Sequence, residues 1–169
     1  MKYTPLPKEI YQRNRAKFAV KMAKNAVAIF NANDILPTNA DGTMKFRQNN
    51  DLFYLCGIDQ EETILLLAPD CPNPAWREVL FLRETNDHIA VWEGHKYTKE
   101  EAFAASGIEN IQWLPSFDLI FSSVVNLSER IYLNTNEHLR AGVVVETRDA
   151  RFIKTVSYTH LTLPTNREV

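Results

Sequence analysis

Thr63-Ile64-Leu65-Leu66-Leu67-Ala68 is apolar from Ile64 onward, with no polar residue breaking the run. A half-solvated strand alternates apolar and polar side chains, whereas a strand covered on both faces does not. This stretch therefore predicts a central strand with helices on either side, which is an α/β layered domain built on a mixed β-sheet. Upstream, Leu52-Phe53-Tyr54-Leu55 reads as a second strand, separated from the first by Gly57 and the acidic pair Glu61-Glu62. Downstream, past the loop Asp70-Cys71-Pro72-Asn73-Pro74, Glu78-Val79-Leu80-Phe81-Leu82-Arg83 reads as another, and His88 to Trp92 as a further one.

Further out, helical signals alternate with short strands. Residues Lys8 to Ala28 carry Tyr11, Phe18, Met22 and Ala26 at steps of seven and four, one face of an amphipathic helix. Pro7 suits the first turn of that helix, where a missing N–H costs nothing. Val27-Ala28-Ile29-Phe30 could form a buried strand, followed by a polar loop from Asn31 to Lys45 containing the turn pair Asp41-Gly42. Thr98-Lys99-Glu100-Glu101 is a capping box whose helix closes at Gly107. Ile111-Gln112-Trp113 predicts a strand, Ser116 to Val125 a helix, and Arg130-Ile131-Tyr132-Leu133 a strand. This alternation again implies helices packed against a sheet.

The 169 residues fit one ordinary domain. Nineteen basic residues against 21 acidic ones give a formal charge of -2, which argues against a dedicated nucleic-acid binder. Lys8, Arg13, Arg15, Lys17, Lys21 and Lys24 cluster on the first helix, and at this balance they read as its solvated face. The two cysteines, Cys56 and Cys71, read as free thiols rather than a disulfide. The start lacks the apolar core of a signal peptide, and no apolar run approaches the roughly 20 residues that span a bilayer. These features predict a soluble, cytoplasmic protein that uses no membrane.

The catalytic inventory is thin. His88, His95, His138 and His160 form no H-x-x-x-H pair, and there is no C-x-x-C, no phosphate-cradling glycine loop and no nucleophile elbow. Glu61-Glu62 reads as a polar turn and Glu100-Glu101 as a helix cap. Three features are less ordinary. Asn49-Asn50-Asp51 follows Phe46-Arg47-Gln48 and either binds something or simply forms a turn. Trp92, in Trp92-Glu93-Gly94, is either a core anchor or an aromatic pocket wall. Asp41 reads from chemistry alone as the acid of an Asp-Gly turn.

In this order, those features resemble the amino-terminal domain of aminopeptidase P, the Xaa-Pro aminopeptidase family. The resemblance rests on Phe46-Arg47-Gln48-Asn49-Asn50-Asp51-Leu52-Phe53-Tyr54-Leu55-Cys56-Gly57-Ile58, on Thr63 to Leu67, on Leu80-Phe81-Leu82-Arg83 and on Val91-Trp92-Glu93-Gly94-His95-Lys96. The family's last element is Trp-x-Gly followed by two basic residues, and here His95 replaces the first of them. The resemblance implies a domain over 1–155 that carries no catalytic residue and no metal ligand. It implies a missing "pita-bread" catalytic domain holding two manganese or similar ions, and a peptide substrate with proline in second position. It also implies a homo-oligomer, in which Trp92 and Asp41 would line the substrate pocket of a neighbouring subunit. Xaa-Pro dipeptidase and creatinase share this layout, and a free-standing peptide- or protein-binding module is the reading from another class. Residues 156–169 resemble a non-native tail read through adapter DNA at the end of a fragmentary reading frame, with a strand over Val156 to Leu163 as the alternative.

Overall fold

Five strands form one sheet in the computed structural model, which describes residues 6–40, 42–86, 91, 94–135 and 147–159. They are β1 (Ala26–Asn31), β2 (Ile64–Leu67), β3 (Glu78–Leu82), β4 (Asn110–Trp113) and β5 (Arg130–Leu133), in the spatial order β4-β3-β2-β1-β5. The apolar run at Ile64–Leu67 sits at the centre with all four residues buried. It runs antiparallel to both neighbours, Ile29 facing Leu66 and Leu65 facing Leu80. The outer pairs, β1 with β5 and β3 with β4, are parallel. This is the mixed sheet that the sequence implies.

The strand period of two sends alternate residues of β1 and β2 into two separate cores. Ala28, Phe30, Leu65 and Leu67 meet α1 (Lys8–Ala19), α2 (Asn50–Cys56) and α3 (Lys99–Ser106) through Phe18, Leu52, Leu55 and Ala102. Val27, Ile29, Ile64 and Leu66 meet α4 (Phe117–Val125) and α5 (Arg148–Thr159) through Phe117, Phe121, Val124 and Val156. The second core is rich in rings. Phe117 stands edge-on to Phe81 at 5.1 Å and stacks on Phe121 at 5.2 Å, while Phe152 leans on both.

Four readings of the sequence need correction. Leu52-Phe53-Tyr54-Leu55 lies in α2 rather than in a strand. Asn49 caps that helix, its Oδ1 accepting from the amides of Asp51 and Leu52, and Gly57 closes it in the left-handed conformation at φ +72°. These two caps, eight residues apart, outweigh the β-propensity of the residues between them. The first helix stops at Ala19, so Met22 and Ala26 are not on it. Asn25, at φ +53°, turns the chain into β1 while Asp70 accepts its amide at 2.9 Å.

Arg15, read as part of a solvated face, is only 1% exposed. Its Nη1 donates to the carbonyls of Leu55 and Ser106, at the ends of α2 and α3, and its Nε pairs with Glu78 at 2.9 Å. A buried arginine is tolerated because helix C-termini leave carbonyls without intrahelical donors. The helix α5 is an addition, since the chain there is helical as far as Thr159 and not extended from Val156. It continues past Thr155, and Val156 is buried in the second core. Asn31 donates to Asp149 at 2.8 Å and Arg151 pairs with Asp34 at 2.7 Å, which fastens α5 to the end of β1.

The capping box at Thr98 and Glu101 and the closure at Gly107 are formed as the sequence suggests. Cys56 and Cys71 are both free and buried. Apart from Val91, the strand expected from His88 to Trp92 lies outside the described residues. No described helix is long and apolar enough to cross a membrane.

Candidate functional site

Three of the four segments that carry the family-like motifs, Phe46–Ile58, Thr63–Leu67 at its start and Val91–Lys96 at its end, meet in one polar cluster beside the first core. Gln48, 6% exposed, donates from Nε2 to the carbonyls of Ile58 (3.1 Å) and Gln60 (2.8 Å), and its Oε1 accepts the amide of Asn49 at 2.8 Å. Gln48 thus ties the lead-in to α2 to the turn before β2. Within that turn, the Thr63 hydroxyl donates to the Gln60 carbonyl at 2.8 Å. The Gln60 side chain reaches the residue just after the last motif segment, its Oε1 accepting the amide of Tyr97 at 2.7 Å. Beside it, Lys96 and Glu61 form an ion pair with side chains only 14% and 11% exposed.

Electrostatics follow from this burial. Removal from water, and then the nearby carboxylates of Asp59 and Glu101, push the Tyr97 phenol above its ordinary range. Gln60 Nε2 is buried and has no hydrogen-bond partner, the one such side-chain atom among the described residues. Further along, His95 lies 3.0 Å from the Glu101 carboxylate at an exposed position.

These contacts hold the turn before β2 against the lead-in to α2 and the backbone at Tyr97. Among the described residues no group of three or more His, Cys, Asp or Glu side chains is placed to hold a metal ion. A two-ion hydrolase centre needs several such ligands converging, so the residues described do not fit one.

Trp92 and Asp41, the two pocket residues expected from the sequence, lie outside the described residues. The structure instead adds Gln60 and Glu61. Glu61 lies in the turn that the sequence suggests, but its partner Lys96 is 35 positions away, and no local pattern reveals such a pairing. A separate open groove of about 370 Å³ runs between α1 and α2, with Leu6, Ile10, Phe53 and Tyr54 supplying apolar walls and Arg13 and Lys17 the charge.

The family described as "Aminopeptidase P, N-terminal domain" matches residues 11–132, from the first turn of α1 into β5. The Xaa-Pro aminopeptidase of Escherichia coli (strain K12) is 24% identical over 142 residues, which is 83% of this chain and 32% of that protein. Xaa-Pro aminopeptidase 3 of Homo sapiens is 28% identical over 74 residues, 43% of this chain and 15% of the relative. Among solved structures, a Bacillus anthracis chain assigned as an aminopeptidase P superposes with a TM-score of 0.78 at 22% identity, covering 92% of this chain and 36% of its own. Aminopeptidase PepP of Pseudomonas aeruginosa gives 0.72 at 25% identity, with coverages of 80% and 30%. The chain therefore spans about a third of the length of the first curated relatives it matches. With the match extending across the sheet and four of its helices, the chain belongs to the family of aminopeptidase P N-terminal domains.

Proposed function

We propose that this chain is the non-catalytic amino-terminal domain of an Xaa-Pro aminopeptidase, whose two manganese or similar ions would sit in a separate catalytic domain. The parent would release the residue that precedes proline at the start of a peptide. The domain's own work would be to assemble a homo-oligomer in the cytoplasm and to shape access for short peptides, with Trp92 and Asp41 facing the pocket of a neighbouring subunit. The observation that carries this reading is the match of residues 11–132 to an N-terminal domain whose relatives are about three times longer. The two free thiols suit a reducing compartment.

The purified chain, supplied with Mn²⁺ and an Xaa-Pro peptide, is expected to give no hydrolysis, and turnover that follows this chain through purification would overturn the reading. Sequencing the source DNA across codons 154–157 tests the other half. A frame that continues into paired aspartates, a histidine and two glutamates identifies the parent as a dinuclear metallopeptidase and residues 156–169 as non-native. In that parent, Trp92→Ala is expected to raise KM with little change in kcat, as for a wall that binds ground and transition states alike. Steady-state kinetics on the variant decide it, and an unchanged KM removes Trp92 from the pocket.

The groove between α1 and α2 favours a second reading, a free-standing module that binds peptide or protein segments. It predicts saturable binding by the isolated chain, lost on Tyr54→Glu, and a reading frame that ends at Val169.

A further inference from the structure

The groove of about 370 Å³ between α1 and α2 has fixed walls. Asn14 and Arg15 on α1 donate to the carbonyls of Tyr54 and Leu55 in the last turn of α2, each at 2.9 Å. The Tyr11 ring meets Phe53 edge-on at 6.2 Å beneath them. The two helices therefore hold their spacing without a ligand, and a preformed concavity loses little entropy on binding. Its lining divides by chemistry. Leu6 and Tyr54 are 52% and 56% exposed, and beside the half-buried Ile10 and Phe53 they turn apolar surface to water. Arg13 and Lys17, both exposed and one turn apart on α1, supply the charge. The described lining contains no carboxylate, and no described carboxylate pairs with either cation. Like charges at this helical spacing repel, and a carboxylate brought beside them relieves the repulsion.

We propose that this groove takes an acidic amphipathic segment of another protein, its apolar side chains entering between Ile10 and Tyr54 and its carboxylates meeting Arg13 and Lys17. The proposal deepens the reading of the groove as a segment-binding site and rests on that reading. Burial of the apolar walls supplies the affinity, and the rim cations select the sign of the partner. Four residues of helix rise about 6 Å, a spacing matched by carboxylates one turn apart on a helix or two residues apart on a strand. A basic segment would set cation against cation, which excludes it. The same argument disfavours a second copy, because a two-fold dimer through this face would bring its own Arg13 and Lys17 together.

The test titrates the full chain into a fluorescein-labelled peptide of repeated Glu-Leu-Phe-Glu units and follows fluorescence anisotropy. Saturable binding is expected, weakening as salt rises. The uncharged Gln-Leu-Phe-Gln counterpart should bind about fivefold more weakly or worse, the effect of two partly screened ion pairs. Reversing the rim with Arg13→Glu and Lys17→Glu is expected to lose the acidic peptide and to gain one of Lys-Leu-Phe-Lys units. Lys21→Glu with Lys24→Glu makes the same change in net charge outside the groove and is expected to leave binding as it was. All four positions are exposed, so none of these changes reaches a core. Equal binding of the three peptides to the unaltered chain keeps a segment-binding groove and overturns the acidic partner. No saturable binding of any peptide overturns both ideas. Equal loss in the Lys21, Lys24 pair assigns the attraction to net charge and also overturns the proposal. So does a dimer, seen by light scattering, that Tyr54→Glu dissolves and the acidic peptide does not.

Discussion

At the scale of single residues, Arg15 and Asp149 show how burial changes what a charge does. Arg15→Met keeps the volume of the stem but leaves the carbonyls of Leu55 and Ser106 without their donor. Each dry carbonyl is expected to cost about 1–3 kcal/mol, read as a lower midpoint in urea unfolding. Arg15→Lys should recover only part of this, because one ammonium does not reproduce the guanidinium fork. Asp149 carries the opposite lesson. Burial raises its pKa, although the Asn31 side chain, the Asn31 backbone and Arg148 oppose the shift, with Asp51 adding to it. A raised folded value means the native state holds its proton longer than the unfolded chain does. Stability from this group is complete below the unfolded value of about 3.9 and is lost as pH rises through the folded one. Asp149→Asn is expected to flatten that fall, seen as a Tm less sensitive to pH above about 4 than in the parent chain. An identical slope in the two proteins would sink the assignment.

At the scale of elements, the C-caps separate two glycines that look alike in sequence. Gly57 and Gly107 both close helices at positive φ, +72° and +70°. A left-handed alanine costs about 1–2 kcal/mol at either site. At Gly57 the new Cβ would also fall 2.3 Å from the buried Tyr11 ring, whereas at Gly107 it meets the movable amide end of Gln12 at 2.7 Å. Gly57→Ala is therefore expected to lower Tm well beyond Gly107→Ala. The same helix explains what the sequence conceals. The strands of the sheet were legible because Ile64–Leu67 and its neighbours are apolar runs with nothing to cap them as helices. Leu52-Phe53-Tyr54-Leu55 has the same look, and only Asn49 and Gly57 at its ends mark it as α2. The polar cluster was half legible. Gln48 and Lys96 lie within motif segments, but Gln60 and Glu61 join it through contacts 12 to 37 residues apart. Arg15 was hidden for a similar reason, since its partners lie on three other elements.

At the scale of the molecule, the two cores differ in how they are closed. The first has three helices, two of them capped, and buried polar ties, while the second depends on α4, α5 and four phenyl rings packed edge-on, stacked or tilted. Phe152→Ala is expected to cost less than the roughly 3–5 kcal/mol of a fully buried ring, because Phe152 is half-buried. The loss should appear in thermal unfolding as a lower midpoint. The strand order has a further consequence, for synthesis on the ribosome. β1, β2 and β3 follow one another as antiparallel neighbours and can pair as soon as Leu82 is available. The remaining edge of β1 is covered from Ala26 to Ile29 by β5, which begins at Arg130. At roughly 5–20 residues per second, the intervening stretch of about fifty residues takes on the order of 2–10 s to translate. For those seconds a strand edge apolar from Ala26 to Phe30 stands open on a nascent chain, a template for joining to a neighbour's strand. The yield of this domain should therefore depend on how fast its second half is made.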